Sequence, residues 1–191
     1  MVVPGNVTVK KNRLAGVFPE WGPIFRVSFE LKIDSTTKSL DGWMEVLRVT
    51  DQGADNSTYV PGRSIPAVWL CSNDVCKGCG GMVSKATCIQ VASYISNNWN
   101  GQVYLNISRD RFISIEIAQW VMDGVYFYHV YMDGQLFALM PNGTPANFTM
   151  VNVFTSDNYD HSFGDILGGQ LRNLEVATWH QQPTDCYISK P

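Results

Sequence analysis

Apolar side chains recur at every second residue along almost the whole chain, and no stretch carries the 3.6-residue stripe of an amphipathic helix. In FRVSFELKI, Phe25, Val27, Phe29, Leu31 and Ile33 share one face while Arg26, Ser28, Glu30 and Lys32 share the other. A strand with one side on a core and one in water needs this pattern. In RFISIEIAQ, Ile113, Ile115 and Ile117 alternate with Phe112, Ser114 and Glu116; Asp123-Gly124 then supplies a hairpin turn, and the next strand, VYFYHVYM, ends at a second, Asp133-Gly134. Further strands are read at WMEVLRV, AVWLC, CIQVASYI, QVYLNIS, FTMVNVF and LRNLEVA, separated by Gly, Pro, Asn and Asp clusters. About nine or more strands with frequent turns predict an all-β, antiparallel two-sheet sandwich or barrel. No linker, repeat or compositional shift divides residues 1–191, so one domain is expected.

A chain of 191 residues buries roughly 70% of its unfolded surface, enough for a well-filled core. With 45% hydrophobic and 16% charged residues, a disordered or coiled-coil chain is excluded. The net charge of -3 contains no run of either sign, which argues against nucleic acid or an anionic membrane as partner. No apolar stretch approaches the ~18 residues of a membrane span, and the first residues lack a secretory hydrophobic core. Secretion is argued instead from the acceptor pattern Asn-x-Ser/Thr, found at Asn6, Asn56, Asn106, Asn142 and Asn147, where chance predicts roughly two. Pro145 weakens the site at Asn142. An extracellular domain is expected; the alternative is a polar β-protein rich in Asn turns.

Four of the five cysteines, Cys71, Cys76, Cys79 and Cys88, crowd into one segment, and the fifth is Cys186. Outside the cell they form a local disulfide framework with one thiol left over, Cys186 being the expected odd residue. The simplest pairing joins Cys71 to Cys88 across the base of a hairpin, with Cys76 to Cys79 closing a tight loop. Two bridges among five cysteines allow about fifteen connectivities, so the pairing stays open. The rival reading is a zinc knuckle at Cys76-x-x-Cys79, but the pair is not repeated and no His lies nearby.

The succession DGWMEVLRVT, IPAVWL, FISIEIAQ, VYFYHVYMDGQLF, VNVFTSDNYD and GGQLRNLEVA resembles the concanavalin A-like, laminin-G-like lectin domains of animal extracellular proteins. The likeness runs from about Phe18 to Thr178 and is most particular at Gly42-Trp43, at the Tyr-x-Tyr strand closed by Asp133-Gly134, and at the VFTSDNYD to LRNLEV ending. It implies a jelly-roll sandwich with glycan or protein binding as its usual function. The cysteine-rich segment departs from that family.

Catalytic signatures are missing from the sequence. Glycosidases on this fold use a Glu-x-Asp-x-x-Glu strand, which does not occur, and Glu45 and Glu116 read as single carboxylates on solvated strand faces. His129, His161 and His180 are isolated, and neither a Gly-x-Ser-x-Gly elbow nor a phosphate-binding glycine loop is present. A non-enzymatic module is expected.

Binding has more candidates. If Tyr126, Tyr128, Val130 and Met132 face the core, Phe127, His129 and Tyr131 line the opposite face, and the neighbouring strand adds Ser114 and Glu116 beside them. Such a surface can stack on a sugar and bond its hydroxyls, whereas a cover of protein would make it a subunit interface. Trp99 and Trp120 are expected at hairpin tips, either anchoring a ligand or packing on a loop. Asp157, Asp160 and Asp165 offer hard oxygen ligands that suit calcium, although the spacing matches no fixed calcium loop and a solvated turn is the alternative. The expected function is extracellular recognition of a glycan, or alternatively of a protein, with a homo-oligomer compatible with either.

Overall fold

The computed structural model describes residues 1–8, 13–35, 43–51, 64–71, 87–93, 95, 102–155 and 169–181. Among these residues there is no helix, and hence none long and apolar enough to cross a membrane. Twelve strands are described: β1 (Val2–Thr8), β2 (Leu14–Trp21), β3 (Ile24–Ile33), β4 (Trp43–Thr50), β5 (Ala67–Cys71), β6 (Thr87–Ala92), β7 (Val103–Ile107), β8 (Ile113–Met122), β9 (Val125–Met132), β10 (Gln135–Asn142), β11 (Phe148–Phe154) and β12 (Gly169–Trp179). They form two six-stranded antiparallel sheets, sheet A in the order β1-β12-β3-β8-β9-β10 and sheet B in the order β2-β11-β4-β5-β6-β7. The all-β two-sheet sandwich read from the alternation is the observed architecture.

The alternating apolar faces meet between the sheets. Phe25, Val27, Phe29, Leu31 and Ile33 of β3 and Ile113, Ile115 and Ile117 of β8 are buried, opposite Leu47 and Val49 of β4, Leu70 of β5 and Ile89 of β6. At roughly 1.5–3 kcal/mol for each large side chain, this burial is the main force closing the sandwich. Both Asp-Gly turns are two-residue hairpins with positive φ at both positions, 52° and 79° at Asp123-Gly124 and 49° and 76° at Asp133-Gly134. Their backbone twist matches the right-handed twist of the strands that they join, so they fix the β8–β9–β10 register.

Three strands, β1, β2 and β10, go beyond those read from the sequence. Each lies at a sheet edge. Their segments contain Pro4-Gly5, Gly16 with Pro19, and Pro141, residues that break a central strand but are tolerated where one side of the backbone needs no partner.

Candidate functional site

The outward face of sheet A is described across all six strands. Register places Glu116 opposite Tyr131, Ala118 opposite His129 and Trp120 opposite Phe127. Ala118 is small, and the Trp120 indole leans over it onto the imidazole of His129, with ring centroids 3.6 Å apart and planes at 36°. On the imidazole's other flanks stand Tyr131, stacked at 6.2 Å and 5°, and Phe127, edge-on at 6.5 Å. The result is a row of aromatic rings, with Phe127, Tyr131 and Trp120 half-buried and His129 only 6% exposed.

Burial removes the solvent that would stabilise an imidazolium, and the His129 pKa falls to about 4. Neither ring nitrogen has a hydrogen-bond partner. His129 is therefore a flat neutral ring at neutral pH, part of an apolar surface rather than a hydrogen-bonding group offered to a ligand.

Polar groups enter from β3. Glu116 Oε2 accepts from Arg26 at 2.8 Å, and Arg26 also lies 3.9 Å from Glu175 of β12. Farther along, Arg172 pairs with Glu30 and lays its guanidinium over Phe112, 3.6 Å from the ring centroid. The face thus has an ion-paired half on β3 and β12 and an aromatic half on β8 and β9, meeting at Glu116 and Tyr131.

The structure sorts the sequence-predicted residues. Glu116, Phe127, His129, Tyr131 and Trp120 come together. Ser114, exposed and two residues before Glu116 on β8, lies on the same outer face, and its main chain is held by the second turn: its N–H donates to Asp133 Oδ1 at 2.9 Å and its carbonyl accepts from the Asp133 N–H at 2.8 Å. Burial works against the Asp133 carboxylate, but the Ser114 N–H and Arg111 outweigh it and hold its pKa below the usual value. Trp120 is not at a hairpin tip; it lies within β8, fixed by His129. Trp99, the calcium candidates Asp157, Asp160 and Asp165, and Asn56 lie outside the described residues. Among the described residues no group of three or more His, Cys, Asp or Glu could hold a metal ion.

Glu45 needs a correction. It is buried rather than solvated, and one of its carboxylate oxygens accepts from Arg48 at 2.5 Å, close to a bulge between Glu45 and Leu47. Its strand, β4, is interior to sheet B, and the simple alternation used to read it as solvated contains no information about what covers an outer face. Cys71 and Cys88 sit opposite each other on β5 and β6 and pack with Tyr104. Both are disulfide-bonded; Cys76, Cys79 and Cys186 lie outside the described residues. Of the acceptor asparagines, Asn6 and Asn147 are exposed, Asn106 is half-buried, and Asn142 is buried with its Nδ2 donating to Gln119 Oε1 at 2.8 Å.

That last contact belongs to a feature that sequence reading passed over, a cleft of about 250 Å³ between the sheets at one end of the sandwich. Gln119 continues the inward series Ile113, Ile115, Ile117, and a polar residue in that register was the available signal.

No protein-family model matches the chain, and no curated protein matches it by sequence. Solved structures do match. A native heptameric SAP-like pentraxin from Limulus polyphemus superposes with a TM-score of 0.53 at 12% identity, covering 96% of this chain and 77% of that one. The marine PL7 alginate lyase AlyA1 from Zobellia galactanivorans gives 0.51 at 10% identity, covering 83% of this chain but 64% of the lyase. The Caenorhabditis elegans galectin LEC-6 gives 0.40 at 11% identity, covering 91% and 90%. At these identities the two matches with a TM-score above 0.5 establish the fold alone, a concanavalin A-like jelly roll, and the narrower laminin-G likeness rests on the sequence motifs.

Proposed function

We propose that the chain is an extracellular recognition module that binds glycans through the outer face of sheet A, without catalysis. The observation that supports this most is the junction at Glu116 and Tyr131, where half-buried aromatic rings stand beside a carboxylate–guanidinium pair. Sugars present apolar C–H faces ringed by hydroxyls; the rings take the former, and Glu116 and Arg26 accept from and donate to the latter. Glu116 and Glu175 share Arg26, which engages them as ion-pair partners rather than as a separated acid and nucleophile. Disulfide-bonded Cys71 and Cys88 and the exposed acceptor sites Asn6 and Asn147 favour an oxidising, extracellular location.

The test is a broad glycan and polysaccharide array, alginate included, run with and without calcium. Binding is expected, and Tyr131→Ala and Phe127→Ala should each weaken it by roughly 1–3 kcal/mol while the protein stays folded. Unaltered affinity in both variants would remove the face from the site. Release of an unsaturated or hydrolysed product, abolished by Glu116→Gln, would overturn the non-catalytic part. Loss of binding on chelation would bring Asp157, Asp160 and Asp165 into the site as calcium ligands.

A second reading, recognition of a protein or of another copy of this chain, is favoured by a specific observation. Beyond the aromatic row, Met122, Val125, Leu136 and Leu139 are each about half exposed, and β10 is a sheet edge. A silent array together with a protein ligand lost in Leu139→Asp would select that reading.

A further inference from the structure

The end cleft is assembled from parts that a simple core does not need. Its apolar walls include the rings of Trp21, Phe25 and Phe148, and its polar lining includes Gln119, Ser64 and Ser93. All three polar side chains are more than nine-tenths buried, Gln119 being 4% exposed. The Gln119 amide is fixed at both ends: Nε2 donates to the Pro23 carbonyl at 2.6 Å, and Oε1 accepts from Asn142 at 2.8 Å. That leaves an amide hydrogen and an oxygen lone pair beyond these two bonds. Ser93 Oγ donates to the Ser64 carbonyl at 3.4 Å, and Trp21, wholly buried, carries an indole N–H with no partner. Exposed Thr144 and half-buried Pro145 and Ala146 also line the cleft, on the side of the β10–β11 connection.

Three properties narrow the ligand. The lining contains no Asp, Glu, Lys, Arg or His, so a charged group would be desolvated without a counter-charge. Amides and hydroxyls on one side and aromatic faces on the other suit a ring with an apolar face and hydroxyl edges. The volume of about 250 Å³ lies below the range of roughly 300–1,000 Å³ for drug-sized ligands, which suits one ring rather than a chain. From this we infer that the cleft is a second ligand site, separate from the sheet A face, that takes a single neutral sugar ring such as the free end of a glycan. Gln119 fixes its orientation through hydroxyl hydrogen bonds, and Trp21 and Phe148 provide its apolar walls. The assignment stands independently of the sheet A face.

The experiment titrates the full chain with free glucose, galactose and N-acetylglucosamine, using glucuronate as the charged counterpart. It follows the Trp21 indole N–H by NMR. At least one neutral sugar should move that resonance saturably, with glucuronate weaker by about tenfold or more. Ala146→Phe, which fills the cleft, and Gln119→Leu, which keeps its shape but removes the amide, should each weaken binding by about tenfold or more. Tyr131→Ala should leave it unchanged, so that failure of the sheet site and failure of the cleft are read separately. The assignment is overturned if no neutral sugar moves the Trp21 signal, if glucuronate binds as well, or if both cleft variants fold and bind like the parent. Should both variants misfold, the Trp21 titration of the parent protein decides alone.

Discussion

Withdrawing His129 from water disfavours its protonated form, so this one residue gives the fold a pH dependence. Its ordinary pKa of 6.5 drops to about 4 in the folded chain, and the unfolded chain therefore binds more protons between those values. Stability should fall as the pH is lowered from 6.5 toward 4 and level off below. The contribution is ~1–2 kcal/mol, less than the full shift would give, because the ring is not wholly sealed. Denaturant melts at pH 7 and 4.5, compared between the parent and His129→Phe, isolate it. Asp110 and Asp133, whose pKa values are lowered, also lose stabilising interactions in acid, but they do so in both proteins. Equal acid losses in the two proteins would mean that the imidazole is solvated. That His129 lies on the outer face was legible from alternation. Its burial was not, because the cover is Trp120, a neighbour supplied by the register of another strand.

At the scale of elements, the two Asp-Gly hairpins were legible because their chemistry is local. Both turns need positive φ at two successive residues, so Gly134→Ala should cost about 1–2 kcal/mol, measured as a lower unfolding midpoint, although a Cβ there would meet nothing within 4 Å. Gly22 makes the contrasting case. A Cβ there would lie 2.0 Å from the Trp179 carbonyl oxygen, so Gly22→Ala must move backbone. It should destabilise by more than Gly134→Ala, in the ~2–4 kcal/mol range of severe substitutions. If the two variants melt alike, the approach of the β2–β3 turn to β12 is looser than described. Central strands were legible from their alternation, whereas β1, β2 and β10 were hidden. Edge strands satisfy fewer constraints, and proline, glycine and bulges in them erase the period-two signal. The aromatic half of the candidate site was visible because it lies on β8 and β9, next to a legible turn. The cleft was invisible, since Trp21, Ser64, Ser93 and Gln119 converge from parts of the chain that only the closed sandwich brings together.

For the molecule as a whole, oxidation is a measurable state. With Cys71 and Cys88 both disulfide-bonded, the denatured, unreduced protein should show at most three of its five cysteines as free thiols. Reduction should lower stability by roughly 2–4 kcal/mol. Five free thiols together with an unchanged melt would refute both expectations.

The strand order has a consequence for how the protein is made. In sheet A, β12 is inserted between β1 and β3, and in sheet B, β11 is inserted between β2 and β4. Each sheet therefore keeps an open slot among its early strands until β11 or β12, the last strands to be made, arrives. A ribosome that has released β1 to β10 holds two incomplete sheets with unsatisfied backbone on both sides of each gap. Nascent chains stalled after β10 should be digested readily by protease, and resistance should appear in one step once β12 has cleared the exit tunnel. Folding of this domain waits until β12 has been made, and the interval before it is when a chaperone has most to protect.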